Sequence, residues 1–170
     1  YHITPPAQIS SAKSILECGN SGTAMRIYMG LLAGCDGFYV LSGDEYLNER
    51  PMRRVADPLI KIGAKIDGRD KANKAPIAIR GGNLEYFNYD SAIASAQVKS
   101  ALILAGLCAK GCEFSEPELS RDHSERMLKG MGADISYEDG KIIVKSLGSK
   151  KLKPLIMSVP NDPSSCFFYA

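Results

Sequence analysis

The chain has 170 residues, 45% of them hydrophobic and 24% charged, with a formal net charge of +2. That is the balance of an ordinary globular protein long enough to bury a sizeable core, and it excludes a nucleic-acid binder built on bulk basicity. No apolar run reaches membrane-spanning length, and no secretory leader opens the sequence.

The five cysteines include no C-x-x-C. Cys108 and Cys112 have only His2 and His123 to join them, so no metal site is expected. Free thiols fit a reducing, cytoplasmic compartment. The sequence starts at Tyr1 and stops in Ser164-Ser165-Cys166-Phe167-Phe168-Tyr169-Ala170, which reads as a helix just begun. A piece of a longer chain is therefore expected.

Residues 1–11 are polar and proline-bearing and read as a leading loop. Cys18-Gly19-Asn20-Ser21-Gly22-Thr23-Ala24 is a small-residue entry to a helix from about Ser21 to Leu32, with Asn20 or Ser21 as cap and Met25, Tyr28, Met29 and Leu32 inward. Gly34-Cys35-Asp36-Gly37 turns the chain into a short strand, Phe38-Tyr39-Val40-Leu41. A charged loop with Asp44, Glu45 and Glu49 follows. A second helix is expected from Pro51 to Ile62, with Val55, Leu59 and Ile62 inward and a bend at Pro58. Ala64-Lys65-Ile66 and Pro76-Ile77-Ala78-Ile79-Arg80 then pair as a hairpin.

The plan recurs. Ser95-Ala96-Gln97-Val98-Lys99-Ser100 is again a small-residue entry to an apolar helix, and Gly111-Cys112-Glu113-Phe114 restarts the strand. Arg121-Asp122-His123-Ser124 opens a helix carrying Met127, Leu128 and Met131. Met131-Gly132-Ala133-Asp134-Ile135 repeats Ile62-Gly63-Ala64-Lys65-Ile66, and Lys141-Ile142-Ile143-Val144-Lys145 closes the unit. Met25, Met29, Met127 and Met131 are assigned to the core. The fold class is α/β of the α+β type: βαβαββ units recurring after roughly 65–75 residues and packed around buried helices. The units span about 12–81 and 84–148, both within a truncated domain of residues 1–154. Residues 155–170 start a further repeat and cross towards a second domain: Leu155 to Val159 as a strand, then Asp162, Pro163, Ser164 and Ser165 at a helix start.

A helix entrance offers free backbone N–H groups and the positive end of the macrodipole, so it attracts anions. Symmetric packing of the repeats would set the entrances at Ser21 and Ser95 side by side. With Arg26, Arg50 and Arg121 flanking them, they form a candidate site for a multiply anionic small molecule. Arg121 has the competing option of a local ion pair with Asp122. Lys99 either faces the anion site or lies exposed on the polar side of its helix.

Gly19 to Arg26, Gly43-Asp44 with Glu49-Arg50-Pro51-Met52, Ser95 to Ser100, Arg121-Asp122-His123 and Asp162-Pro163-Ser164-Ser165 together resemble the EPSP synthase (3-phosphoshikimate 1-carboxyvinyltransferase) family. The Ser-Ala-Gln and Arg-Asp-His forms resemble its bacterial class II branch. The resemblance implies an enolpyruvyl-transferase-like domain and a transferase of the shikimate pathway, serving chorismate and aromatic amino-acid biosynthesis. The reaction moves the enolpyruvyl group of phosphoenolpyruvate to the 5-hydroxyl of shikimate 3-phosphate and needs no cofactor. It also implies a cytoplasmic monomer with neither nucleic-acid nor membrane partners, and glyphosate as inhibitor.

Carried over by position, Gly22, Arg50 and Gln97 would bind phosphoenolpyruvate, and Ser95, Ala96, Gln97 and Arg121 would bind shikimate 3-phosphate. Arg26 matches a more structural arginine. Two departures are Ile27, where class I forms often have proline, and Tyr46, where a basic residue is common. The acid and base residues are expected outside this chain, so the piece alone is expected to be inactive. Two rival readings are the sister transferase acting on UDP-N-acetylglucosamine, whose loop cysteine has no counterpart between Gly43 and Asn48, and a non-catalytic repeat module.

Overall fold

The computed structural model describes residues 9–82 and 84–158. Its first unit runs β1 (Leu16–Glu17), α1 (Gly22–Gly34), β2 (Gly37–Ser42), α2 (Glu45–Glu49), α3 (Arg53–Lys61), β3 (Lys65–Gly68), α4 (Arg69–Ala72) and β4 (Lys74–Gly81). The second runs β5 (Phe87–Asp90), α5 (Ala96–Cys108), β6 (Cys112–Ser115), α6 (His123–Gly130), β7 (Ile135–Glu138) and β8 (Lys141–Val144).

Each unit builds one four-stranded sheet, in the orders β1-β2-β4-β3 and β5-β6-β8-β7. In both, the first pair is parallel and the other two are antiparallel, so the sequence repeat is also a repeat of topology. The crossover from β1 to β2 runs through α1, and that from β5 to β6 through α5, as parallel neighbours require. The junction after the second helix of each unit recurs in detail. Gly63 and Gly132 take φ of +100° and +92°, a conformation glycine adopts without strain. The next N–H groups, of Ala64 and Ala133, return to Leu59 and Leu128 at 2.9 Å each.

The core is built by the two inner helices, α1 and α5, together with strand residues such as Leu41, Ile77, Ile79, Phe114 and Val144. Met25, Met29, Leu32 and Ala33 of α1 are buried, as are Val98, Ala101, Leu102, Ile103 and Ala105 of α5. α1 and α5 pack in parallel through small residues. A Cβ on Gly30 would stand 2.0 Å from the Ala101 carbonyl oxygen, and one on Gly34 would stand 2.6 Å from that of Ala105. Only glycine permits so close an approach of two backbones.

Several expectations need correction. The charged loop contains a helix, α2, because Asp44 Oδ1 accepts from the Leu47 N–H at 2.7 Å and caps it. The following helix starts at Arg53, not Pro51: Met52 is buried and gives its N–H to the Asn73 carbonyl, which fixes the chain outside the helix until that point. α3 continues through Pro58 as one element. Tyr28 and Met127 are each 47% exposed and not in the core. Met127 instead lines a shallow cavity with His123, Arg126, Leu155 and Met157. Residues 155–158 form no strand, since neither sheet has an edge paired to them. Asp162, Pro163, Ser164 and Ser165, and most of the leading loop, lie outside the described residues.

Candidate functional site

The parallel packing of α1 and α5 brings their N-terminal ends together, as the repeat predicts. Gln97, in the first turn of α5, gives an Nε2–H to Thr23 Oγ1 at 3.0 Å and accepts from Arg26 Nη1 through Oε1 at 3.1 Å. One amide side chain thus ties the two entrances. Thr23 carries no signal in the sequence beyond its place in the small-residue loop, and its role becomes visible only with the two helices side by side.

Local chemistry sets each entrance. Ser21 caps α1, its Oγ accepting from Ala24 N–H at 3.1 Å while its carbonyl takes the Met25 N–H. The N–H groups of Gly22 and Thr23 therefore have no acceptor among the described residues. Ser95 occupies the equivalent place on α5 in an extended conformation, but its hydroxyl makes no capping bond. Ala96, Gln97 and Val98 accordingly keep their donors, and Ser95 keeps a hydroxyl, for something outside the helix.

Around Gly22 the charge is concentrated. A Cβ on this residue would meet Arg26 Nη1 at 3.3 Å and Arg50 Nη1 at 3.4 Å. Arg50 is exposed and its Nη2 donates to Asn20 Oδ1 at 3.1 Å; Asn20 in turn donates to Asp44 Oδ2 at 2.7 Å. Arg26 gives Nη2 to the Pro51 carbonyl at 2.8 Å, while its Nε is buried without a partner among the described residues. Burial first, then the neighbouring Arg54 and Arg50 cations, holds the Arg26 guanidinium below its ordinary value. Like charges gathered at two helix entrances favour an anion between them.

Arg121 lies in the two-residue gap between Ser120 and α6, is exposed, and forms no ion pair among the described residues. Asp122 pairs instead with Arg126, at 4.0 Å across one helical turn, so the local Arg121–Asp122 bridge does not form. No direct bond joins Arg121 to Ser95 or Gln97 among the described residues; its link to α5 is indirect, through Ser120.

Neither alternative for Lys99 holds. Its side chain is 1% exposed and is bound to Glu116 at 3.0 Å, Glu125 at 2.8 Å and the Ser120 carbonyl at 3.1 Å. Burial acts to lower the Lys99 ammonium, but Glu125 and Glu116 outweigh it and hold it above the ordinary value. A charge is kept inside only when so compensated. The pattern of α5 concealed this, because Lys99 stands at a polar-looking position while its partners come from distant segments.

Two carboxylates of the segment after β2 are engaged: Asp44 is spent on the α2 cap and Asn20, and Glu49 is bound by Arg69 and Lys74. Those two cations bring Glu49 from 4.5 down to about 2. The described residues also contain no cluster fit for a metal ion and no helix long and apolar enough to cross a membrane. Cys18, Cys35, Cys108 and Cys112 are free thiols. A cavity of about 440 Å³ opens beside α6. None of Gly22, Arg50, Ser95, Ala96, Gln97 and Arg121 lines it; Gly22 is buried, Ser95, Ala96 and Gln97 are half-buried, and Arg50 and Arg121 are exposed.

Two repeated units, joined at paired helix entrances with the Arg26 and Arg50 guanidiniums gathered at Gly22, define an α/β protein of duplicated architecture. The family model for EPSP synthase (3-phosphoshikimate 1-carboxyvinyltransferase) matches residues 2–170, and the chain belongs to that family. It is 75% identical over 170 residues to the 3-phosphoshikimate 1-carboxyvinyltransferase of Campylobacter fetus subsp. fetus, covering 100% of this chain and 40% of that protein. The Campylobacter curvus counterpart is 64% identical over 168 residues, covering 99% and 39%. The EPSP synthase structure from Acinetobacter baumannii superposes with a TM-score of 0.82 at 42% identity, over 94% of this chain and 36% of the other. The chain thus spans about 40% of the length of the curated relatives it matches.

Proposed function

We propose that the protein carrying this chain transfers the enolpyruvyl group of phosphoenolpyruvate to the 5-hydroxyl of shikimate 3-phosphate, releasing phosphate. The chain supplies the anion-binding half of that chemistry. The observation that carries the reading is the juncture of α1 and α5, where Gln97 spans Thr23 and Arg26 and two guanidiniums crowd Gly22.

In this reading Gly22 offers its backbone N–H to the phosphoenolpyruvate anion and Arg50 neutralises it. Ser95, the Ala96 N–H and Arg121 hold the shikimate 3-phosphate, with Gln97 between the two substrates. Fixed donors aimed at charge need no reorganisation when the reaction proceeds. Protonation of the methylene carbon and removal of the hydroxyl proton need a positioned acid and base. With Asp44 and Glu49 already engaged, those groups come from the remainder of the longer protein, and the isolated chain does not turn over. Residues 12–81 and 84–148 act as two repeats of one domain, and 155–170 lead towards another. Glyphosate, an anion with a phosphonate and a carboxylate, suits the two guanidiniums gathered at Gly22. A monomer in the cytoplasm completes the proposal.

The test is phosphate release from both substrates by the full-length protein and by its Arg50→Ala and Gln97→Ala variants. Each substitution removes a contact worth roughly 10²-fold in rate. Wild-type turnover in both variants would refute the assignment.

A further inference from the structure

We propose that Lys99 is a positioning residue for Arg121, acting through the backbone of Ser120, and so governs affinity for the phosphorylated acceptor. This rests on the function proposed above. The argument begins with where the bonds go. Lys99 Nζ donates to the Ser120 carbonyl at 3.1 Å. Glu116 Oε1 accepts from the Ser120 N–H at 2.8 Å, from its hydroxyl at 3.0 Å and from Lys99 at 3.0 Å. Every polar group of Ser120 is therefore held by one ion pair.

The other side of the gap is fixed from the same helix. Glu125 binds Lys99 at 2.8 Å, and Ser124 shares a 2.6 Å hydrogen bond with Ser100. Arg121, Asp122 and His123 are the residues between these two clamps, and both clamps close on consecutive residues of α5, Lys99 and Ser100. Arg121 itself is exposed and makes no ion pair among the described residues. Its direction is therefore set by the clamps and not by its own contacts. α5 also carries Ser95, Ala96 and Gln97 in its first turn, so the network fixes the phosphate-facing arginine relative to the helix entrance it must work with.

The ionic character fits that task. One ammonium faces two carboxylates whose remaining oxygens, Glu116 Oε2 and Glu125 Oε2, are buried without partners among the described residues. An apolar trio would serve packing better, because buried ion pairs contribute little net stability; what they add is a fixed arrangement.

The experiment uses the full-length protein with Lys99→Met and with the double variant Lys99→Met/Glu125→Gln. The double variant removes one charge of each sign, so the network keeps its net charge while the Ser120 carbonyl loses its tether. The expected result is a KM for shikimate 3-phosphate raised about tenfold or more in both, with kcat and the KM for phosphoenolpyruvate within about threefold of wild type. Arg121→Ala should raise the same KM, and adding it to the double variant should raise it little further, since both changes disable one contact. Double-variant KM values equal to wild type, with Arg121→Ala impaired, would overturn the positioning role while leaving the site intact. Raised KM values for both substrates with a lowered melting temperature would assign Lys99 to stability alone. A wild-type KM in Arg121→Ala would instead remove the site assignment itself.

Discussion

Replacing Gly30 by alanine tests the seam on which the candidate site depends. The added Cβ would stand 2.0 Å from the Ala101 carbonyl oxygen and 2.5 Å from its carbonyl carbon and Cα, all backbone atoms that no rotamer change can move. Restoring an ordinary contact of 3.4 Å requires α1 and α5 to part by about 1.4 Å. Overpacking of that kind costs about 1–3 kcal/mol, while alanine in a helix interior returns about 0.5–1 kcal/mol. The Gln97 bonds to Thr23 and Arg26, at 3.0 and 3.1 Å, lie at the far end of the same seam. Stretching them adds about 0.5–1.5 kcal/mol each at most, and less where water replaces them.

The net expectation is a loss of about 1–3 kcal/mol, a sizeable part of a domain's stability, together with raised KM values for both substrates. The assay is chemical denaturation of the full-length protein beside steady-state kinetics. Gly130→Ala serves as control, because its Cβ would meet only the Leu155 Cδ1 at 3.2 Å. A Gly30→Ala protein as stable as wild type, with both KM values unchanged, would refute the close-packed seam and the site derived from it.

Gly22→Ala should leave the fold intact, since its Cβ meets side-chain atoms and no backbone, Arg26 Nη1 at 3.3 Å and Arg50 Nη1 at 3.4 Å, which need give by only a few tenths of an ångström. It should raise the KM for phosphoenolpyruvate about tenfold and weaken glyphosate inhibition in parallel, read by inhibition kinetics. The Lys99 network should also leave a signature in the pH dependence of the melting temperature. Lys99 is held above its ordinary value of 10.5, so its contribution is complete below pH 10.5 and fades as pH climbs through the raised value. Burial acts to raise Glu116, but bonds from Ser120 and Lys99 bring it below 4.5; its contribution is present above pH 4.5 and fades as pH falls through the lowered value. Lys99→Met should abolish the alkaline limb and move the acid limb to higher pH. A wild-type profile in that variant would contradict the ion pairing.

The repeat was legible because each unit carries its own punctuation. Gly63-Ala64 and Gly132-Ala133 mark the same turn twice, and the two small-residue entries mark the same helix start. From that duplication the meeting of the two entrances followed by symmetry alone. α2 escaped notice because five residues supply no period, and only the Asp44 cap distinguishes them from a charged loop. Helical spacing places Met127 on one face of α6 but does not say what covers that face, and Met127 stays half-exposed. Lys99 was unreadable for a different reason: its partners lie 17 and 26 positions away, and a buried ion pair leaves no periodic trace. The contacts assigned to Gly22, Arg50 and Arg121 came from family resemblance added to charge.

The glycine seam has a mechanical corollary. With backbone lying against backbone at Gly30 and Gly34, the two repeats have no soft layer between them in which to rock or slide. The pair of loops at its end behaves as one rigid jaw. On the proposed function, a ligand at the paired entrances would meet donors whose spacing is set by this seam.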